Sequence, residues 1–139
     1  MTGTPLAIEQ DLVWLPATAA NQAHSIVSHG EPFTGAEPTL RDLLERIRPI
    51  ATRALASDSR EHWPLITVNL DFKDSHAEHF AAIRTLLAEY EAWLTTALRT
   101  NDIGSVQPLS LGPVLVLTGA DPAQQAVFHD EVPIGSRRA

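Results

Sequence analysis

The stretch Leu65-Ile66-Thr67-Val68-Asn69-Leu70-Asp71-Phe72-Lys73 decides the fold of this chain. Its apolar and β-branched residues are typical of a strand, and period-two alternation puts Asp71 and Lys73 on the same side of that strand. Lys73 is the only lysine in the sequence. Two interpretations stay open for this pair of charges. They form a functional strand end, or they form a salt bridge at the end of an ordinary strand.

Two strands are predicted before this stretch. Alternation over Leu6–Leu15 puts Glu9 and Asp11 on one face. Carboxylates at neighbouring positions on one face repel each other, which is tolerable mainly when a cation lies between them. Residues 23–30 form a second, short predicted strand that ends at His29.

A helix is predicted between the second strand and the central one. Thr39 is a suitable N-cap with Asp42 three residues on, and apolar residues then recur at helical spacing as far as Leu55. An interior proline costs about 3 kcal/mol in a helix. We therefore expect a kink or break near Arg48, just before Pro49.

A second helix is predicted after the central strand. Ser75 and Glu78 have the spacing of a capping box. His76 and His79 are expected to be solvated residues of the first turn. The buried stripe of this helix is predicted to consist of Phe80, Ile83, Leu87, Tyr90 and Leu94.

A third pattern ends the chain. Residues 113–119 form a continuous apolar run, which is typical of a strand buried on both faces of a parallel sheet. Asp121 and Pro122 are a suitable N-cap and first-turn pair for a short helix that extends to about Phe128.

The order of these elements predicts the fold class. Strands that alternate with helices indicate an α/β domain of parallel strands with crossover helices. Ligands of such sheets bind at the carboxyl ends of the strands. Asp11, His29 and Lys73 are predicted to lie towards those ends.

Length and composition limit the possibilities further. A chain of 139 residues with 44% hydrophobic content predicts one domain that spans residues 1–139. The net charge of −7 argues against nucleic acid as a partner. No apolar run approaches the roughly 20 residues that cross a bilayer, and no signal peptide is recognised. The absence of cysteine excludes disulfides and thiolate sites and leaves the compartment open.

The strand ends together offer a recognisable set of chemical groups. Glu9, Asp11 and Asp71 supply hard oxygen ligands, which suit Mg²⁺ or Ca²⁺ better than zinc. Such an ion would bind phosphate oxygens. His29 can transfer a proton near neutral pH, and Lys73 can stabilise charge on a phosphoryl transition state. The pattern predicts a metal-assisted phosphodiester site.

Three motifs carry a resemblance to a known superfamily. They are Ile8-Glu9-Gln10-Asp11, Ser28-His29-Gly30 and Leu70-Asp71-Phe72-Lys73. Together they resemble strand ends of the barrel phosphodiesterases, a superfamily that includes glycerophosphodiester phosphodiesterases and phosphatidylinositol-specific phospholipase C. The similarity is greatest to bacterial phospholipase C-like members. The resemblance implies a partial TIM-type barrel, covering about strands two to five.

The resemblance also implies roles for the residues. Glu9, Asp11 and Asp71 would hold the metal, His29 would be one of two catalytic histidines, and Lys73 would contact the phosphate. The substrate would be a small phosphodiester or a phospholipid head group, and full-length relatives are often exported. The other catalytic histidine of the family would lie upstream of Met1. The chain is therefore expected to be an internal fragment with incomplete acid–base machinery.

Two alternatives stay open. The chain is a catalytically inactive fragment or half-barrel that associates with itself through its open sheet edges, because unpaired edge strands attract partners. Otherwise it is an unrelated small α/β binding domain in which the carboxylates are incidental.

Overall fold

A four-stranded, mostly parallel sheet forms the centre of the fold. The computed structural model describes residues 5–57, 59–102, 104 and 107–139. The sheet has the order β2-β1-β3-β5, and a separate two-stranded sheet pairs β4 with β6. In chain order the strands are β1 (Leu6–Leu15), β2 (His24–Val27), β3 (Ile66–Phe72), β4 (Ala97–Leu98), β5 (Val114–Thr118) and β6 (Arg137–Arg138).

Three helices connect or follow these strands. They are α1 (Leu40–Leu55), α2 (Ala77–Ala88) and α3 (Pro122–Gln125). Short 3-10 helices span Arg60–His62 and Glu91–Trp93, and a π-helix spans Ala126–Asp130 directly after α3. No helix in the described ranges combines the length and the apolar character needed to cross a membrane.

The predicted α/β class is confirmed for three of the four strands. Strand β3 pairs in parallel with β1 on one side and with β5 on the other, and α1 and α2 lie in the two crossover connections. Strand β2 instead runs antiparallel to β1, so the expectation that every strand is parallel is wrong there. Only residues 16–23 join β1 to β2. A parallel neighbour needs a crossover of about a dozen residues or more, whereas an antiparallel one does not. The sheet does not close into a barrel.

Both long helices pack on the same face of the sheet. The residues of β3 that point to this face, Ile66, Val68 and Leu70, are at most 2% exposed. They join one apolar cluster with the buried stripes of α1 and α2 because alternate residues of a strand face the same way. The helix residues in this cluster are Leu40, Leu44, Ile47, Ala51, Ile83 and Leu87.

The other face of the sheet is largely open. Registered neighbours Glu9 and Asn69 are both exposed on it. Leu117, the β5 neighbour of Asn69, is 44% exposed, so the prediction that this strand is buried on both faces is wrong. A strand buried on both faces requires a second helical layer, and both long helices pack on the opposite side.

The N-terminus of α1 forms as its sequence predicts. The Thr39 side chain accepts from the backbone N–H of Asp42, and the Asp42 side chain accepts from the backbone N–H of Thr39. The predicted break near Arg48 does not occur, because α1 continues through Pro49. Proline leaves the carbonyl four residues earlier without its helical donor. Pro49 lies on the exposed side of α1, where solvent is available to that group.

The N-terminus of α2 differs from its prediction. Its N-cap is His76, whose side chain makes no capping hydrogen bond, so the capping box at Ser75 is wrong. The carboxylate of Asp74 accepts from the backbone N–H of His76 instead. The helix ends at Ala88, but every residue of the predicted stripe is buried: Phe80, Ile83, Leu87, Tyr90 and Leu94.

His79 is the clearest correction. It was expected to be a solvated residue of the first turn, whereas it is fully buried and hydrogen-bonds with Ser25 and Asp74. Its position four residues before Ile83 and eight before Leu87 places it on the buried face of α2. His76, the other histidine of that turn, is exposed.

The last helical segment begins where it was predicted. Asp121 is the N-cap of α3, and its carboxylate accepts from the backbone N–H groups of Ala123 and Gln124. Helical conformation then continues in the π-helix beyond Phe128.

Candidate functional site at the carboxyl ends of the parallel strands

Three carboxylates predicted as metal ligands lie close together on the open face. One oxygen from each of Glu9, Asp11 and Asp71 lies within 4.8 Å of the others. The parallel register explains the proximity, because Asp11 and Asp71 are direct neighbours on β1 and β3. Glu9 precedes Asp11 by two residues and therefore faces the same way. Asp11 and Asp71 are partly buried, whereas Glu9 is exposed.

Lys73 forms ion pairs with two members of this cluster. Its Nζ atom is 2.7 Å from Oδ1 of Asp11 and 2.5 Å from Oδ2 of Asp71. Its backbone N–H donates to the carbonyl of Leu12 at 2.9 Å, which continues the β1–β3 ladder past the end of β3. The predicted placement of Asp71 and Lys73 on one side is confirmed. Asp71 and Lys73 do form a salt bridge, and it extends to a second carboxylate, Asp11, on the neighbouring strand.

The ion pairs fix the charges of the site at neutral pH. The hydrogen bond from Lys73 is the main influence on Asp11 and lowers the pKa of its carboxyl below the usual value. Hydrogen bonds to Asp11 and then Asp71 raise the pKa of Lys73 well above its usual value. Lys73 is therefore a permanent cation and Asp11 a permanent anion near pH 7.

The segment that contains His29 follows β2 and contacts Asp11 through the backbone of Ser28. The backbone N–H of Ser28 donates to the carbonyl of Asp11 at 3.0 Å, just after β2 ends at Val27. Lys73 has the larger effect on the pKa of Asp11, and the charge of His29 lowers this pKa by a smaller amount. The antiparallel course of β2 thus brings Ser28, which precedes His29, to the backbone of Asp11, although His29 does not end a parallel strand as predicted. Its ring is exposed.

The donor set fits a hard divalent cation. Glu9, Asp11 and Asp71 offer carboxylate oxygens only, and Mg²⁺ and Ca²⁺ prefer such ligands. The ammonium group of Lys73 already neutralises part of this negative charge. A divalent ion would therefore compete with Lys73 for Asp11 and Asp71. A divalent ion in place of the Lys73 ammonium would change the net charge at this position.

Sequence reasoning overlooked a second polar cluster on the helix side of the sheet. It consists of Ser25, Asp74 and His79. The helical spacing of His79 with Ile83 was a signal of its burial. Nothing comparable indicated the contact with Ser25, which lies 54 residues away in the chain.

Comparison of the chain with models of protein families, with curated proteins and with solved structures gave no match.

Proposed function

We propose that this chain is a metal-dependent phosphodiester-processing domain, of the hydrolase or lyase type, for glycerophosphodiester or phosphoinositide esters. The observation that carries the proposal is the cluster of Glu9, Asp11 and Asp71 on the open face, with the Lys73 ammonium paired to both aspartates. Carboxylates that hold a divalent ion beside a fixed cation are suited to a phosphate group, which carries negative charge on several oxygens.

The proposal includes a finer description of the fold as an arc of a TIM-type barrel. Two features support it. Strands β1, β3 and β5 run parallel with their crossover helices on one face, as in the wall of such a barrel. The carboxylates lie on the opposite face, which would be the barrel interior, towards the carboxyl ends of the strands.

Each residue has a role in this proposal. A bound Mg²⁺ or Ca²⁺ would neutralise charge on the phosphate oxygens and polarise the phosphorus. Lys73, displaced from Asp71, would neutralise charge on another phosphate oxygen. His29 would accept a proton from water or from a neighbouring hydroxyl of the substrate, since it is exposed and follows Ser28, whose backbone N–H bonds to Asp11.

We expect slow turnover. The superfamily that the motifs resemble uses two histidines, and this proposal assigns one of them, His29. Each proton-transfer partner contributes about 10²- to 10⁴-fold to the rate. Rapid hydrolysis of a generic phosphodiester that disappears in His29→Ala would show that a second proton donor acts in the site.

Calorimetric titration with MgCl₂ and CaCl₂ tests the metal site. Binding by the wild-type chain is expected to be lost in Asp11→Asn and in Asp71→Asn, because each change replaces a charged ligand with a weaker neutral one. Glu78→Gln removes one exposed carboxylate in α2 and should leave binding unchanged. The absence of binding at millimolar metal, or equal binding by all variants, would refute the proposal.

The sheet supports a second candidate, a self-associating half-barrel without catalytic activity. The four-stranded sheet ends at β2 and β5, and edge strands are templates for further pairing. A groove of about 240 Å³ near the open face includes Leu65, Leu109 and Leu111, each more than half exposed. Light scattering would detect a dimer, and Leu111→Lys should dissociate it. A wild-type monomer at high concentration would exclude this candidate.

A further inference from the structure

A hydrogen-bonded series of three side chains lies on the helix side of the sheet. The Oγ atom of Ser25 is 2.7 Å from Nε2 of His79. The Nδ1 atom of His79 is 3.0 Å from each carboxylate oxygen of Asp74. Ser25 belongs to β2, His79 to the first turn of α2, and Asp74 to the turn between β3 and α2. A hydroxyl, an imidazole and a carboxylate in this order have the connectivity of a nucleophile, its base and the group that orients the base.

The partners of His79 determine its tautomer. Burial alone would raise the pKa of Asp74. Hydrogen bonds from His79 and from two backbone N–H groups outweigh burial and lower this pKa below its usual value, so the carboxyl is ionised at neutral pH. An ionised carboxylate only accepts hydrogen bonds, so Nδ1 of His79 carries a proton. Burial lowers the pKa of His79 and outweighs the opposing influence of Asp74. The ring is therefore neutral near pH 7. Nε2 is then an acceptor, and Ser25 donates its hydroxyl proton to it.

The surrounding residues hold this base in one orientation. The ring of His79 stacks on Trp14 with centroids 5.3 Å apart and meets the edge of Phe72 at 5.0 Å. The Asp74 carboxylate accepts from the backbone N–H of Trp14 at 2.8 Å and from that of His76 at 3.2 Å. The base is therefore preorganised, because proton transfer from Ser25 requires no movement of the ring.

Accessibility distinguishes the members of the series. His79 is fully buried, Asp74 is 17% exposed at its side chain, and Ser25 is partly exposed on a strand at the edge of the sheet. Ser25 is thus the member that can meet a reagent, while the imidazole behind it is shielded from water.

We propose that Ser25 is a histidine-activated nucleophile that accepts acyl or phosphonyl groups from activated esters and fluorophosphonates. With an aryl ester, Ser25 Oγ bonds to the carbonyl carbon while its proton passes to Nε2 of His79. The tetrahedral intermediate then expels the aryl oxygen, which takes the proton from Nε2 and leaves as a phenol. Hydrolysis of the acyl-serine then releases a carboxylic acid and restores Ser25. With a fluorophosphonate, the Oγ–P bond forms as the P–F bond breaks, and fluoride and a proton are released.

This site is independent of the carboxylates on the open face. The two can be tested separately, because the serine reaction uses neither the proposed metal ligands nor Lys73. Labelling in the presence of a chelator should therefore equal labelling in its absence.

The experiment is to incubate the full chain with a fluorophosphonate probe and to locate the adduct by peptide mass spectrometry. We expect the adduct on Ser25, with loss of labelling when the chain is denatured in urea. Asp74→Asn should slow the labelling of Ser25 roughly 10²-fold or more, because an amide can stabilise the wrong tautomer of His79. Ser110→Ala, at an exposed serine elsewhere, should leave the rate unchanged.

Three results would overturn the proposal. They are a folded chain without an adduct on Ser25, equal labelling of several serines, and an Asp74→Asn variant that labels Ser25 at the wild-type rate. Circular dichroism of each variant distinguishes loss of activation from loss of the fold. The adduct on the wild-type chain requires no variant at all, so the principal result does not depend on how well the variants fold.

Discussion

The Nζ atom of Lys73 lies 2.7 Å from Oδ1 of Asp11, a residue on the neighbouring strand. The contact joins β1 and β3 through their side chains just where the backbone ladder between them ends. It also places a cation among the carboxylates that sequence reasoning assigned to a metal. A metal ion bound at these carboxylates would therefore compete with this ion pair.

Removal of the competing cation should strengthen metal binding. In Lys73→Met the carboxylates of Asp11 and Asp71 no longer have to give up an ammonium partner. Ion pairs near a protein surface change an equilibrium by up to about fivefold, so an increase in Mg²⁺ or Ca²⁺ affinity of that order is expected. Calorimetry measures it. Arg53→Met removes one positive charge from an exposed position of α1 and should produce no such increase. Weaker binding by Lys73→Met would show that the lysine supports the metal rather than competing with it.

Asp74 should contribute to stability beyond its role in the serine series. Its carboxylate accepts hydrogen bonds from the buried ring of His79 and from the backbone of Trp14. Asp74→Ala leaves these donors without an acceptor, which should lower the free energy of unfolding by about 1–3 kcal/mol. Urea denaturation measures the change. Glu78→Ala, at an exposed position of α2, should stay within about 0.5 kcal/mol of the wild type. Equal stabilities would mean that water replaces the lost carboxylate.

The free energy of unfolding should decrease at acid pH because Glu45 becomes protonated. Hydrogen bonds from Arg48, and then from Tyr90, lower the pKa of Glu45 from 4.5 to about 2. The unfolded chain therefore binds this proton more tightly than the folded one. The resulting stability is complete above pH 4.5 and is lost as the pH falls through about 2. Glu45→Gln should flatten the decline of the melting temperature over that interval. Glu78→Gln, an exposed glutamate, serves as the control, and an unchanged slope in Glu45→Gln would contradict the assignment.

Gly112 should tolerate no side chain. A Cβ atom there would lie 2.5 Å from the carbonyl carbon of Leu94 and 2.6 Å from the carbonyl oxygen of Trp93. These are backbone atoms beside the first residue of β5, so the strand itself would have to shift. Gly112→Ala should therefore cost about 1–3 kcal/mol or more, measured by urea denaturation. Gly119→Ala meets only the flexible side chain of Gln124 at 3.3 Å and should cost much less. Equal costs would show that the chain near Leu94 moves freely.

The parts of the fold that depend on local pattern were predictable. Alternation gave the observed bounds of β1, and Thr39 as N-cap gave the start of α1. The neighbouring positions of Asp11 and Asp71 also followed, because two parallel strands bring their carboxyl ends together. Each of these features depends on residues within a few positions of each other, or on one rule of sheet geometry.

Two features were not predicted, for different reasons. The direction of β2 follows from the short connection formed by residues 16–23, a local feature that period-two alternation does not include. The helical spacing of His79 with Ile83 indicated its burial, but its contact with Ser25 joins α2 to β2 across 54 residues of chain. No local pattern predicts a contact between residues so far apart in sequence.

The separation of the two sheet faces has a consequence for how this chain can change. Core packing uses Val68 and Leu70, whereas Glu9, Asn69 and Leu117 project to the side away from the helices. A library randomised at these three positions would leave the helix-facing side chains untouched and should yield mostly folded members. Selection could then search for new ligand preferences while stability stays nearly constant. Changes in binding on the open face therefore need not reduce the free energy of unfolding.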